Sequence, residues 1–234
     1  MTTVCQQEFR ILKKFYARKN FVPLSFRNLM NHRSDMPPKI ILFKYVILVS
    51  LTTFNLSCTT SKTYTESMKA RIASMYEEDQ RCQRFDTDRI IKEGKKYTDS
   101  MNNEKNRIME ENTLIAKQYF TEKGYPGIKE NGESISMKFW ALVQHSDHDV
   151  DFQKKALKSM KKELRNKNVS IRNYAYLHDR VHKNKGKKQL YGTQVEWSTG
   201  RPLPYDLKYP EKVDTLRKEV GLEPLKEYLD SFMN

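Results

Sequence analysis

Phe152, Ala156, Met160 and Leu164 recur at every fourth position, and Lys154, Lys155, Lys158, Lys161, Lys162 and Arg165 fill the other side. Such spacing makes an amphipathic helix, one face of which must be buried against other apolar elements. Asp149 or Asp147 stands where its N-cap belongs. The lysine face reads first as a solvated one, and second as a surface for anionic lipid or an envelope polymer.

The partners that bury this helix are also read as helices. Ala70, Ala73, Met75 and Tyr76 begin one that carries the lone Cys82, which reads as a partly buried thiol. Asp86 or Thr87 caps a second, through Ile90, Ile91, Tyr97 and Met101, and Asn102 to Asn106 is expected to interrupt the chain. A third holds Ile108, Leu114, Ile115, Tyr119 and Phe120 and ends at Gly124 and Pro126. Ser134 or Ser136 caps a fourth in which Phe139, Trp140, Leu142 and Val143 cover most of the circumference, the mark of a central helix. Its C-terminal end delivers Gln144 and His145. Another helix spans Ile171 to Lys183, with Tyr174, Leu177 and Val181 on one side.

Texture changes at Gln189 to Trp197, which is strand-like, and a turn at 198 to 201 returns the chain through Pro202 to Leu207, predicting a β-hairpin. Gly192 within it points to a bulge or a close approach. Short helices follow over Val213 to Val220 and from Pro224, the latter packing through Leu225, Tyr228, Leu229 and Phe232. The fold class is therefore mainly α (α+β): a single helical domain over residues 67–234 with one small β-hairpin.

The start of the chain differs. Residues 1–35 show no sustained period and form a doubtful N-terminal extension, with Met36 the preferred start of translation. Within 36–58, Lys39 and Lys44 precede the uncharged stretch Tyr45 to Phe54, and Asn55-Leu56-Ser57-Cys58 follows. A basic start, a short apolar core and small residues before a cleavage point are the parts of an export signal. The apolar stretch is short of the roughly 20 residues that span a bilayer. Cys58 in this setting resembles the lipidation site of bacterial lipoproteins, though Asn55 stands where an aliphatic residue is preferred. Lipidation at Cys58 implies a membrane-anchored protein of the bacterial cell envelope, facing outward, with 59–66 as a tether. An uncleaved signal anchor and a core strand are the alternatives.

The formal charge of +14 suggests a polyanionic partner. However, residues 1–57 hold nine Lys/Arg against Glu8 and Asp35, so the rest is only moderately basic, and nucleic acid is disfavoured as a partner. Three scattered cysteines exclude a disulfide framework. His178 and His182 lie four apart on one helix, but no glutamate accompanies them as in zinc proteases, so neither a metal nor another cofactor is assigned.

Several motifs are specific in wording: Asp79-Gln80 with Arg84, Gly124-Tyr125-Pro126, Gln144-His145-Ser146-Asp147 with Gln153, and Ala175-Tyr176-Leu177-His178-Asp179-Arg180-Val181. Further on stand Gln189-Leu190-Tyr191-Gly192-Thr193-Gln194, then Val213-Asp214 with Arg217, Gly221-Leu222 and Pro224. Together they resemble a bacterial family of unknown function over about residues 67 to 231. Members of that family are often secreted or lipid-anchored. Tyr125 departs from a common Trp, and His178 from a smaller residue.

Three functional readings remain open. In the first, His145 is a general base for hydrolysis or acyl transfer, Asp147 or Asp179 fixes its tautomer, Arg180 clamps an anion, and Gln144, Gln189, Tyr191, Thr193 and Gln194 bind the ligand. In the second, the same residues only hold the domain together, with Asp179 and Arg180 as a buried ion pair. In the third, the domain binds an envelope glycan, a peptide or another small ligand, with Trp140, Tyr191 and Trp197 as stacking surfaces.

Overall fold

The computed structural model describes residues 62–197 and 200–233. Cys58, the signal-type segment and the N-terminal extension lie outside them. The described residues all belong to one compact unit, Thr60–Asn234.

Five helices build the core: α1 (Glu66–Cys82), α3 (Lys95–Lys123), α5 (Glu133–Gln144), α6 (Val150–Glu163) and α7 (Ile171–Asn184). The short helices α2 (Thr87–Glu93) and α4 (Ile128–Asn131) connect them. A two-stranded antiparallel ribbon follows, β1 (Val195–Glu196) and β2 (Leu203–Pro204), paired Val195 to Pro204 and Glu196 to Leu203. A 3₁₀ turn, α8 (Val213–Glu219) and α9 (Leu225–Asp230) close the described chain. The protein is mainly helical with one small hairpin, as the sequence implies.

The centre is α5, which packs against α1, α3, α4, α6 and α7. Being surrounded explains its all-round apolar sequence: Phe139, Leu142 and Val143 are buried, and Trp140 donates its Nε1–H to the carbonyl of Asn173 at 2.8 Å. In α6, Phe152, Ala156 and Met160 enter the same core, and the Asp149 carboxylate accepts the N–H of Phe152 at 2.9 Å.

Three local expectations change. The polar run Asn102 to Asn106 does not interrupt the chain, since it contains neither Gly nor Pro and is carried along α3. The break falls instead at Gly94, whose φ of 58° separates α2 from α3 at a single residue. Gly132, not a serine, precedes α5, and Ser136 is buried. Tyr64, inside the segment assigned to a tether, is a core residue. Its ring stands edge-on to Tyr119 and Phe139, and its hydroxyl donates to the carbonyl of Gly124 at 2.8 Å.

Phe152→Ala should lower the unfolding free energy by about 3–5 kcal/mol, while Lys158→Ala on the opposite face should change it by less than about 0.5 kcal/mol. Urea titrations of the two variants measure the contrast.

Candidate functional site

The buried face of α1 reads Met68, Ile72, Met75, Asp79, Cys82, so a carboxylate takes one position of an apolar stripe. Asp79 is 1% exposed. A buried carboxylate needs donors, and it has three: Gln80 Nε2 at 2.9 Å, Gln83 Nε2 at 3.0 Å and Nδ1 of His145 at 2.8 Å. His145 is the C-cap residue of α5, so the end of the central helix points its imidazole at α1. With Asp79 accepting from Nδ1–H, the neutral ring carries its lone pair on Nε2. Nε2 has no hydrogen-bond partner among the described residues, and the ring is about one-fifth exposed.

His145 borders a partly open cleft of about 510 Å³, lined also by Gln83, Lys105, Asn106, Met109, Glu110, Asp147, His148 and Arg180. Asp147 and Arg180 form a two-pronged ion pair there, Nε to Oδ1 at 2.9 Å and Nη2 to Oδ2 at 2.6 Å. Asn184 and Gln153 also donate to Asp147 Oδ1, at 2.7 and 3.0 Å. Burial alone would raise the Asp147 carboxyl, but the bonds and charge of Arg180, helped by Asn184 and Gln153, outweigh it and hold the pKa at about 2. Since this lies below the ordinary value of 3.8, the stabilisation is present above that value and is lost as pH falls through about 2.

The sequence-derived candidates thus separate into two groups. His145, Asp147 and Arg180 share the cleft. Asp147 is held by Arg180, Asn184 and Gln153, and the group on His145 Nδ1 is Asp79. Asp179 is elsewhere: 0% exposed, it accepts the backbone N–H groups of Leu190, Tyr191 and Thr193 at 2.9, 3.0 and 3.1 Å, and the Thr193 hydroxyl at 3.2 Å. It therefore folds the 189–194 loop around itself, and the Asp179–Arg180 ion pair envisaged from sequence is replaced by Arg180–Asp147. Gln189 works in the same loop, donating to the carbonyls of Gln194 and Tyr205 and accepting the N–H of Gln194.

Gln194 touches the cleft only through a long bond from Arg180 Nη1 to its Oε1, 3.4 Å. Gln144 is buried, as is Thr193, while Tyr191 receives Arg217 Nη1 on its carbonyl at 2.7 Å. Gly192 keeps a φ of 64°, and an added Cβ would sit 2.9 Å from Leu225, which is the close approach its place in the sequence suggests. None of these ligand-binding candidates lines the cleft, nor do Trp140, Tyr191 or Trp197. Ser146, the residue after His145, is fully buried and donates to the carbonyl of Leu142 at 2.9 Å, which removes it as a nucleophile. Cys82 is buried as well, and burial followed by the charge of Asp79 pushes its thiol pKa up.

Residues 70–233 match the model of a family of unknown function, DUF6624. The chain belongs to the DUF6624 family. No curated protein and no solved structure matches it. The membership agrees with the uncharacterised family expected over most of the chain, and the DUF6624 region contains both the Asp79–His145 pair and the loop around Asp179.

Sequence reasoning omitted Asp79, Gln83 and Lys105 from the site. Asp79 had a visible signal, since a charge on the apolar stripe of α1 must be paired. Lys105 and Gln83 had none, because only the crossing of α1 and α3 brings them beside the end of α5.

Asp179→Ala would strand three backbone N–H groups, that of Thr193 buried and those of Leu190 and Tyr191 partly so, and should cost about 3–5 kcal/mol, with amide hydrogen exchange at 190–193 accelerated toward the unprotected rate. Truncating Asp147 in the same way, at a partly exposed site, should cost about 1 kcal/mol. Equal losses in urea unfolding would remove the distinction between loop anchor and cleft residue.

Proposed function

We propose that this DUF6624 protein is an exported, lipid-anchored envelope protein whose cleft is a general-base site hydrolysing a small polar substrate that carries an anionic group. The observation that carries the catalytic part is the orientation of His145: Nδ1 is held by a buried carboxylate while Nε2 is unpaired at the cleft. That is the arrangement a general base requires, with its tautomer fixed and its lone pair presented to the reacting group. The cleft lining provides no hydroxyl or thiol among the described residues, so water is the nucleophile. His145 Nε2 takes a proton from water as its oxygen attacks, and the imidazolium returns that proton to the departing group. Asp79 stabilises the imidazolium meanwhile, since a carboxylate favours the charged ring.

Lys105 and Arg180 make the cleft receptive to an anion. Lys105 forms no ion pair among the described residues, and Arg180, though held by Asp147, keeps N–H groups beyond the three its protein contacts use. The export and anchoring part is supported by the basic, apolar and Cys58 segments of the sequence.

A panel of chromogenic esters, amides and phosphoesters, assayed with the wild-type chain, His145→Ala and Asp79→Asn, tests the catalytic part. Turnover should fall by about 100-fold or more in both variants, at unchanged KM and with folding checked by circular dichroism. A folded His145→Ala protein retaining wild-type turnover would rule out the general-base role.

A further inference from the structure

The outward face of α6 carries Lys154, Lys155, Lys158, Lys161 and Lys162, and Arg165 follows in the turn just beyond it; all are exposed, and none forms an ion pair among the described residues. The two carboxylates at the helix ends are already engaged by lysines from other elements, Asp149 by Lys117 and Glu163 by Lys62 at 2.9 Å. On the helix, Lys154 with Lys158, and Lys158 with Lys162, are four apart, so they repel one another and weaken the helix that bears them. Asp151 in the first turn is the remaining acidic residue of α6. This face has the composition of a surface whose counter-charge comes from outside the domain.

The chain also enters the domain at the end of this face. Lys62 is fastened there, its carbonyl accepting Asn131 Nδ2 at 3.2 Å and its Nζ on Glu163, the last residue of α6. Lys62 is four positions after Cys58, a reach of about 14 Å at most. An acyl group on Cys58 would therefore hold the C-terminal half of α6 close to the bilayer surface, at a high effective concentration of headgroups.

We infer that the basic face of α6 docks on the anionic phospholipid headgroups of the membrane that carries the Cys58 anchor. The inference rests on the anchoring half of the proposed function, yet the electrostatic contact itself does not need the acyl chain. Each basic residue near an anionic leaflet strengthens partitioning by about fivefold, and the effect is screened by salt over about 8 Å at physiological ionic strength.

The experiment uses the full chain with Cys58→Ser, floated with vesicles of pure phosphatidylcholine and with vesicles containing phosphatidylglycerol. The apolar stretch 45–54 contributes to both, and the basic residues of 1–57 contribute alike in every variant, so the readout is the ratio of the two partition coefficients compared between variants. The ratio should be well above one at low salt and fall toward one at high salt. Lys154→Glu, Lys158→Glu, Lys161→Glu and Lys162→Glu combined should lower it by about 100-fold or more. Reversing Lys92, Lys96, Lys187 and Lys218 to Glu, the same change in net charge at other exposed positions, should leave it within about threefold. Equal partition of the starting chain into both vesicles overturns the inference, as does a ratio that the α6 reversal leaves unchanged or that falls equally in the control. Tighter binding to a soluble anionic polysaccharide than to the vesicles also overturns it, in favour of a polymer partner. Retention of Cys58→Ser in cell membranes would instead count against the anchor, independently of the vesicle ratio.

Discussion

Two carboxylates taken almost wholly out of water set the polar architecture of this domain. Neither Asp79 nor Asp179 can remain charged in the interior without donors, and each recruits at least one from outside its own helix. Asp179 takes three backbone N–H groups and a hydroxyl from 190–193, and so converts a glycine-containing segment into a fixed loop. Asp79 takes two glutamine amides from its own helix and its C-cap, and the imidazole of His145 from the end of α5. The first arrangement is fully satisfied and closed. The second leaves one ring nitrogen unpaired among the described residues, at a cleft, which is why only the second is assigned chemistry.

The apolar core fixes where that nitrogen goes. Because α5 is enclosed by α1, α3, α4, α6 and α7, its C-terminal end cannot shift without disturbing Phe139, Leu142 and Val143. The same rigid helix ends at His145, Ser146 turns inward to the carbonyl of Leu142, and Asp147 emerges to meet Arg180 from α7. Gln153 on α6 ties the turn together by donating to the carbonyls of Val143 and Gln144, both at 3.1 Å. Several helices thus contribute to a site that occupies only one end of the bundle.

Much of this was legible in the sequence, and the reasons for the exceptions are physical. The steps of four in α6 and the apolar circumference of α5 are enforced by burial, so both helices could be read directly, and of the two aspartates offered as the cap between them Asp149 is the one that serves. The hairpin was legible in kind but not in extent, since only two residues of each strand pair and the strand-like 189–194 is held by Asp179 and Gln189 instead of a ladder. At the site, His145 and Asp147 were recognisable as residue types just past a helix end, and Arg180 as one within the next-but-one helix. Their partners were not, because pairing depends on which helices cross: Asp147 reaches Arg180 across 33 positions and His145 reaches Asp79 across 66. The Tyr-Gly-Thr-Gln wording looked like a ligand loop because it is rich in polar groups, yet those groups are directed inward to satisfy one another.

The proposed chemistry depends on Asp79 fixing the tautomer of His145, which long-range ¹⁵N–¹H correlation spectra of the imidazoles measure directly. At a pH where the ring is neutral, His145 should show a protonated Nδ1 and an unprotonated Nε2, and Asp79→Asn should abolish that preference. A His145 ring protonated at Nε2, or one averaging between tautomers in the wild-type protein, would contradict it.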